Sequence, residues 1–252
     1  MVSFQWIDLE NGPRCLLATC SIAEQDPTAI HFVDWDELAT FKTQKRMNEH
    51  LSARWLLGVA LKEWGIVDFS HLVVSRTDKR APFLQAIQGL WIQPTLPSIS
   101  ISHSQTLACV ALIEHGWAVG IDAEPLSRPP APTVFDMMAR GEELNRLRSG
   151  ELDALWAWTS KEAIQKAARQ GMHLNPRDIV IPVANCKNEI PIANSIFQLK
   201  NLTNEEYQIS LAWGVDVHPI RGPEDDLLDA TREAMESGED WSVGCSTIRK
   251  NV

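Results

Sequence analysis

Apolar residues recur along this chain mostly in strand-length runs, broken by three stretches with helical spacing. Phe4-Gln5-Trp6-Ile7 and Cys15-Leu16-Leu17-Ala18 flank Asn11-Gly12-Pro13, which predicts a hairpin within residues 1–33. A helix is expected from Asp34 to Trp64, with Leu51, Trp55, Leu56, Val59, Leu61 and Trp64 at its apolar positions and Gly65 as its stop. Leu72 to Ser75 reads as a short strand entering a polar, basic loop from Thr77 to Phe83, and residues 84–98 read as irregular. Ile99-Ser100-Ile101 then alternates into Ser102-His103-Ser104, and Leu107 to Ile113 forms a second apolar run. Trp117, Ala118, Val119 and Ile121 predict a buried strand that Pro125 closes.

The second half alternates in the same way. Prolines 129, 130 and 132 stiffen the connection from Leu126 to Thr133; residues 134–150 read as a weakly amphipathic helix. A longer helix follows from about Leu152 to Gln170, ended by Gly171. Ile179 to Val183, Ile196 to Leu199 and Tyr207 to Val217 read as strands, the last alternating through Ile209, Leu211, Trp213 and Val215. From Arg221 onward the composition turns acidic, an appended tail with a helical piece from Asp225 to Met235 and disorder elsewhere.

Three places in this pattern hold polar groups that are candidates for chemistry. Asp122 and Glu124 stand two apart at the end of an apolar strand, so their carboxylates project to one face. Like charges that close are costly to bury without a cation, and a hard divalent ion such as Mg²⁺ is the economical one. A strand running into a solvated acidic turn explains the same pair equally well. On the long helix, Trp158, Glu162 and Lys166 form a stripe at i, i+4 and i+8, away from Trp156, Ala163, Ile164 and Ala167. A surface Glu–Lys pair is the plain reading, but a tryptophan on a charged stripe needs a reason. Ser102-His103-Ser104 suits phosphate oxygens, although such a tripeptide is more often a polar turn, and no G-x-S-x-G elbow surrounds it. Lys42, Lys45, Arg46 and Arg54 on the first helix read as a solvated face on their own.

Composition narrows the classes. The 252 residues, 44% hydrophobic and 22% charged, are those of an ordinary globular protein with material for a sizeable core. A net charge of −10 argues against nucleic acid as a partner, and it requires any anionic ligand to be held by a local basic cluster. No apolar run reaches membrane-spanning length, and residues 1–10 lack the order of a signal peptide. Five scattered cysteines without a CxxC pair fit free thiols in a reducing cytoplasm better than a zinc site.

Taken jointly and in order, I-S-I-S-H-S, V-G-I-D-A-E-P and W-T-S-K-E-A-I-Q-K-A resemble the 4′-phosphopantetheinyl transferase superfamily, in its larger, monomeric Sfp-type branch. A weaker block, L-S-A-R-W-L-L-G-V-A-L, extends the match across most of residues 40–180. The resemblance implies an α+β fold of two similar α/β lobes in a pseudo-twofold arrangement, with coenzyme A in the cleft between them. The lobes would be residues 1–116 and 117–220, the second holding the metal site, with residues 221–252 as an acidic C-terminal extension. No internal repeat is visible in the sequence, so the symmetry comes from the resemblance.

The implied reaction moves 4′-phosphopantetheine from coenzyme A to a serine of an apo acyl or peptidyl carrier protein and releases adenosine 3′,5′-bisphosphate. Asp122, Glu124 and Glu162 match the family's carboxylates for Mg²⁺, with Mn²⁺ as a substitute. Glu162, directly or through water, is the base for the carrier serine; Lys166 neutralises the leaving phosphate, and Lys161 supports the same phosphates. Ser102 and His103 would meet the pyrophosphate and the 3′-phosphate region, and Arg54 the nucleotide end. Where the family commonly has Gly-Lys-Pro, this chain has Arg80-Ala81-Pro82, so Lys79 or Arg80 must supply that cation. Lys45 and Arg46 are candidates for the 3′-phosphate only by proximity in sequence. The resemblance further implies a cytoplasmic monomer serving fatty-acid, polyketide or nonribosomal-peptide synthesis, and an apolar patch at Met137 and Met138 is the expected dock for an acidic carrier. Two rivals are a metal-dependent nucleotide phosphodiesterase or pyrophosphatase, and a binding module that keeps the cleft without catalysis.

Overall fold

The computed structural model describes residues 1–87, 95–182 and 189–217. Its strands are β1 (Val2–Asp8), β2 (Arg14–Ser21), β3 (Leu72–Arg76), β4 (Pro82–Ala86), β5 (Ser98–Ser104), β6 (Leu107–Ile113), β7 (Trp117–Pro125), β8 (Glu189–Ile192), β9 (Ser195–Asn201) and β10 (Tyr207–Val215). The α-helices are α1 (Trp35–Thr40), α2 (Gln44–Trp64), α3 (Phe135–Met138), α4 (Gly141–Ser149) and α5 (Ala154–Ala167). Helices and sheets contribute together, and the fold is α+β.

Two antiparallel four-stranded sheets organise the chain. The first has the order β1-β2-β6-β5 and the second β7-β10-β9-β8, with β3 and β4 forming a separate hairpin. Alternation along β2 sends Leu16, Ala18 and Cys20 toward α2, where they join Leu56, Leu57, Ala60 and Leu61 in one core. The opposite parity, Cys15 and Leu17, meets Val119, Ile121, Leu211 and Trp213 of the second sheet in another. On β7 the remaining parity, Ala118, packs with Ala163, Ile164 and Ala167 of α5. The layers therefore run α2, first sheet, second sheet, α5. Asp122 and Glu124 share parity with Ala118, which puts both acids on the α5 side of β7.

Several elements differ from the sequence expectation, each for a local reason. The helix read from Asp34 to Trp64 is two helices. Asp34 caps the first by accepting from the Glu37 amide, and Thr43 caps the second by accepting from the Arg46 amide, with Phe41 extended between them. Residues 134–150 likewise divide, because Ala139 and Arg140 are extended between α3 and α4. Part of the stretch read as irregular is strand: Pro82–Ala86 pairs in register with Leu72–Arg76. Ile179 to Pro182 joins no sheet; Glu143 Oε1 takes the Ile181 amide at 2.7 Å instead, and Val183 lies outside the described residues. The strand β8 had no signal in the pattern, and the last strand stops at Val215. The tail from Arg221 lies outside the described residues.

Candidate active site

Contact between β7 and α5 brings the two acidic motifs together. Asp153 caps α5 by accepting from the Trp156 amide at 2.7 Å, which fixes where the helix starts and so which residues turn inward. Glu162 and Lys166 then fall, one turn apart, over the acids of β7. Lys166 Nζ donates to Asp122 Oδ1 at 2.7 Å and to the Ile121 carbonyl at 3.0 Å. Trp158, the third member of the stripe, is half-buried against the core under α5, which accounts for a tryptophan on that side.

The acids perturb one another in the way crowded carboxylates must. Burial and then the Asp122 charge push the Glu162 carboxyl up to about 7, against the pull of Lys166. Glu124 is also raised, by burial first, with its hydrogen bond from Ser104 opposing. Burial alone would strip the proton from Lys166, but Asp122 and Glu162 together outweigh it and hold the ammonium above its ordinary range. Asp122 Oδ2 is buried without a hydrogen-bond partner. One lysine thus faces three carboxylates, and one carboxylate oxygen is left over. Among the described residues no three donor side chains stand close enough to enclose an ion as placed. The donor chemistry nevertheless fits a hard divalent cation: oxygen ligands only, excess negative charge and an unpartnered oxygen.

The first sheet supplies the facing wall. Ser102, which the motif assigns to phosphate, is buried and donates to Asp122 Oδ1 at 3.0 Å, so its hydroxyl is engaged by the acid. Ser104 donates to Glu124 Oε2 at 2.6 Å. His103 points the other way along β5. Its Nδ1 is 3.7 Å from Glu49 Oε2 and has no hydrogen-bond partner, and burial lowers its pKa. Glu49 is a buried acid on α2 that also draws Arg46, at 2.8 Å, and Lys45, at 3.7 Å. Lys45 and Arg46, weak candidates by spacing, are thus gathered beside His103.

A second cationic group lies farther along α2. Arg54 is buried, with Nη1 unpartnered, and burial followed by repulsion from Arg76 lowers its pKa to about 10. Arg76 pairs with Glu37 and approaches Asp34 at 3.9 Å. Lys79 and Arg80 are exposed in the turn after β3, with Arg80 Nη2 3.6 Å from Glu37. Arg76 was missed in the sequence. Its position at the end of a predicted strand, just before a basic loop, was the available signal.

Lys161 is a correction. The structure does not bring it to the acids: it is 0% exposed, donates to Glu143 at 2.8 Å and to the Pro176 carbonyl at 3.0 Å, and also reaches the Ile179 carbonyl. A step of about 100° along the helix from Glu162 turns it into the core. The Met137–Met138 patch is corrected in half, since Met137 is 67% exposed while Met138 is fully buried. Tyr207 was missed as well. The chain's only tyrosine, it anchors the turn after β5 and borders an open groove of about 530 Å³ beside Glu124, lined also by Gln105, Leu126 and Arg128.

Residues 118–212 match the family model described as the 4′-phosphopantetheinyl transferase superfamily. The match spans β7, α5 and β10, the elements that assemble the acidic cluster. The likeness points to a transferase of 4′-phosphopantetheine. No curated protein matches the chain. Among the described residues no helix is long and apolar enough to cross a membrane.

Proposed function

We propose that this protein transfers 4′-phosphopantetheine from coenzyme A to a serine of an apo acyl or peptidyl carrier protein, using Mg²⁺ held by Asp122, Glu124 and Glu162. The reading divides the chain into lobes of residues 1–116 and 117–220, acting as a cytoplasmic monomer. The observation that carries it is the meeting of two sequence-distant acidic motifs around one lysine, with Asp122 Oδ2 unpartnered. A divalent cation held there offsets the charge that gathers on the pyrophosphate during transfer. The carrier serine Oγ attacks the phosphorus that bears pantetheine, and the bond from that phosphorus to the bridging oxygen breaks. Glu162 accepts the serine proton, directly or through an adjoining water. Lys166 supplies positive charge to the departing adenosine 3′,5′-bisphosphate. His103, Arg54, Lys79 and Arg80 bind the phosphates and nucleotide end of coenzyme A, with Lys45 and Arg46 beside them. Lys161 acts only through the fold. An acidic enzyme gains nothing from long-range attraction to an acidic carrier, so docking falls to a local surface around the exposed Met137.

Intact mass spectrometry of apo carrier proteins incubated with this protein, coenzyme A and Mg²⁺ tests the proposal. The expected result is the mass gain of phosphopantetheine, lost in Asp122→Ala and Glu162→Ala. No gain across fatty-acid, polyketide and nonribosomal-peptide carriers overturns it. Consumption of coenzyme A without a carrier would mark hydrolysis instead.

A further inference from the structure

We infer that Ser104 is a positioning residue that sets the carboxylate of Glu124 for a divalent cation; this rests on the metal reading above. The edge strand β5 of the first sheet lies beside β7 without sharing a ladder with it. Three alternate serines bridge the gap instead. Ser100 Oγ accepts the Ile121 amide at 3.0 Å, Ser102 Oγ donates to Asp122 at 3.0 Å, and Ser104 Oγ donates to Glu124 at 2.6 Å. The period of two along β5 matches the period of two between the acids, so each carboxylate has one oxygen tied to the other sheet. Ser104 is itself held from the far side. At the turn that follows, where Gln105 takes a φ of 55°, Tyr207 Oη accepts the Thr106 amide at 3.1 Å and donates to the Ser104 carbonyl at 3.2 Å. Tyr207 is also the register partner of Pro125, next to Glu124, which closes the circuit. A half-buried glutamate at a strand end would otherwise sample many rotamers, and that freedom must be lost when it binds an ion. One oxygen fixed by a hydroxyl leaves the other directed, as partners of ligating carboxylates do elsewhere.

The test measures the Mn²⁺ dissociation constant from the electron paramagnetic resonance signal of the free ion, with no coenzyme A present. Ser104→Ala, and Ser104→Cys, which keeps the volume but donates poorly, should each weaken binding roughly 10- to 100-fold. Ser104→Thr retains the hydroxyl and should stay within about threefold of wild type, a rescue that a packing role alone would not give. Glu124→Ala is the reference for losing the ligand itself. If Glu124→Ala abolishes Mn²⁺ binding while Ser104→Ala and Ser104→Cys match wild type, the positioning role is wrong and the metal site stands. If wild type and Glu124→Ala do not differ, the metal reading falls and the positioning role with it.

Discussion

A Cβ built on Gly120 would lie 1.9 Å from the carbonyl oxygen of Ala163 and 2.5 Å from the amide nitrogen of Ala167. Strand β7 and helix α5 therefore meet backbone to backbone, with no room for a side chain between them. The approach is what lets Lys166 reach both Asp122 and the Ile121 carbonyl.

Gly120→Ala forces helix and strand apart, because both contacts are backbone and neither can rotate away. The expected loss is at or above the usual overpacking range of about 1–3 kcal/mol, read as a lower urea midpoint. Transfer should fall more than stability does, since the Lys166–Asp122 geometry depends on the same spacing. A Gly120→Ala protein with the wild-type midpoint would mean that β7 and α5 do not touch here.

Much of this site was legible because its geometry is local. Two residues along a strand or four along a helix share a face whatever the rest of the fold does, so Asp122 with Glu124, and Glu162 with Lys166, needed only secondary structure. Lys161 was misread because adjacency in a motif says nothing about direction; one helical step separates the acid cluster from a buried pocket closed by Glu143. Ser104, Glu49 and Tyr207 matter through partners 20 to 103 positions away or on other elements, which periodicity does not encode. The same holds for the extended segment at Ile179, whose amide neighbour is claimed by Glu143 rather than by a strand.

Lys161 and Glu143 form an ion pair at 2.8 Å with both side chains almost fully enclosed. Lys161→Met leaves Glu143 buried without its ion-pair partner, still accepting from the Ile181 amide, and should cost about 3–5 kcal/mol. Adding Glu143→Met to that variant should recover most of the loss, while coenzyme A binding in the double variant stays near wild type. Urea midpoints of the double-mutant cycle, with calorimetry for coenzyme A, decide it. A large loss of coenzyme A affinity in the stable double variant would return Lys161 to the phosphates.

Arg80 adopts a φ of 65° in the turn between β3 and β4. Holding a non-glycine residue there costs of the order of 1 kcal/mol, and its 3.6 Å pair with Glu37, at 75% exposure, returns only a few tenths. Arg80→Gly relieves that strain but frees the unfolded chain, so stability should change by less than about 1 kcal/mol. On the proposed role of Arg80 in holding coenzyme A, the KM for coenzyme A should nevertheless rise several-fold. An unchanged KM would assign the cation of this turn to Lys79 alone.

His50 and Glu162 tilt the pH dependence of stability in opposite directions. Burial first, then repulsion from Arg54, lowers His50 to about 4, so between about 4 and 6.5 the unfolded chain binds more protons and stability rises with pH. Its 3.5 Å contact with Glu37 is therefore a neutral hydrogen-bonding approach near neutral pH and not an ion pair. Glu162 is raised from 4.5 to about 7, so across that window the folded chain binds more protons and stability falls as pH rises. In EDTA the two slopes offset, and the wild-type profile from pH 4.5 to 6.5 should be shallow. Glu162→Gln should expose the His50 slope, becoming more stable than wild type above pH 7 by about 1–3 kcal/mol while losing transfer. His50→Asn should expose the opposite, a decline toward pH 7. Urea midpoints of the three proteins at half-unit intervals measure this, and parallel profiles would show that neither group titrates as its surroundings dictate.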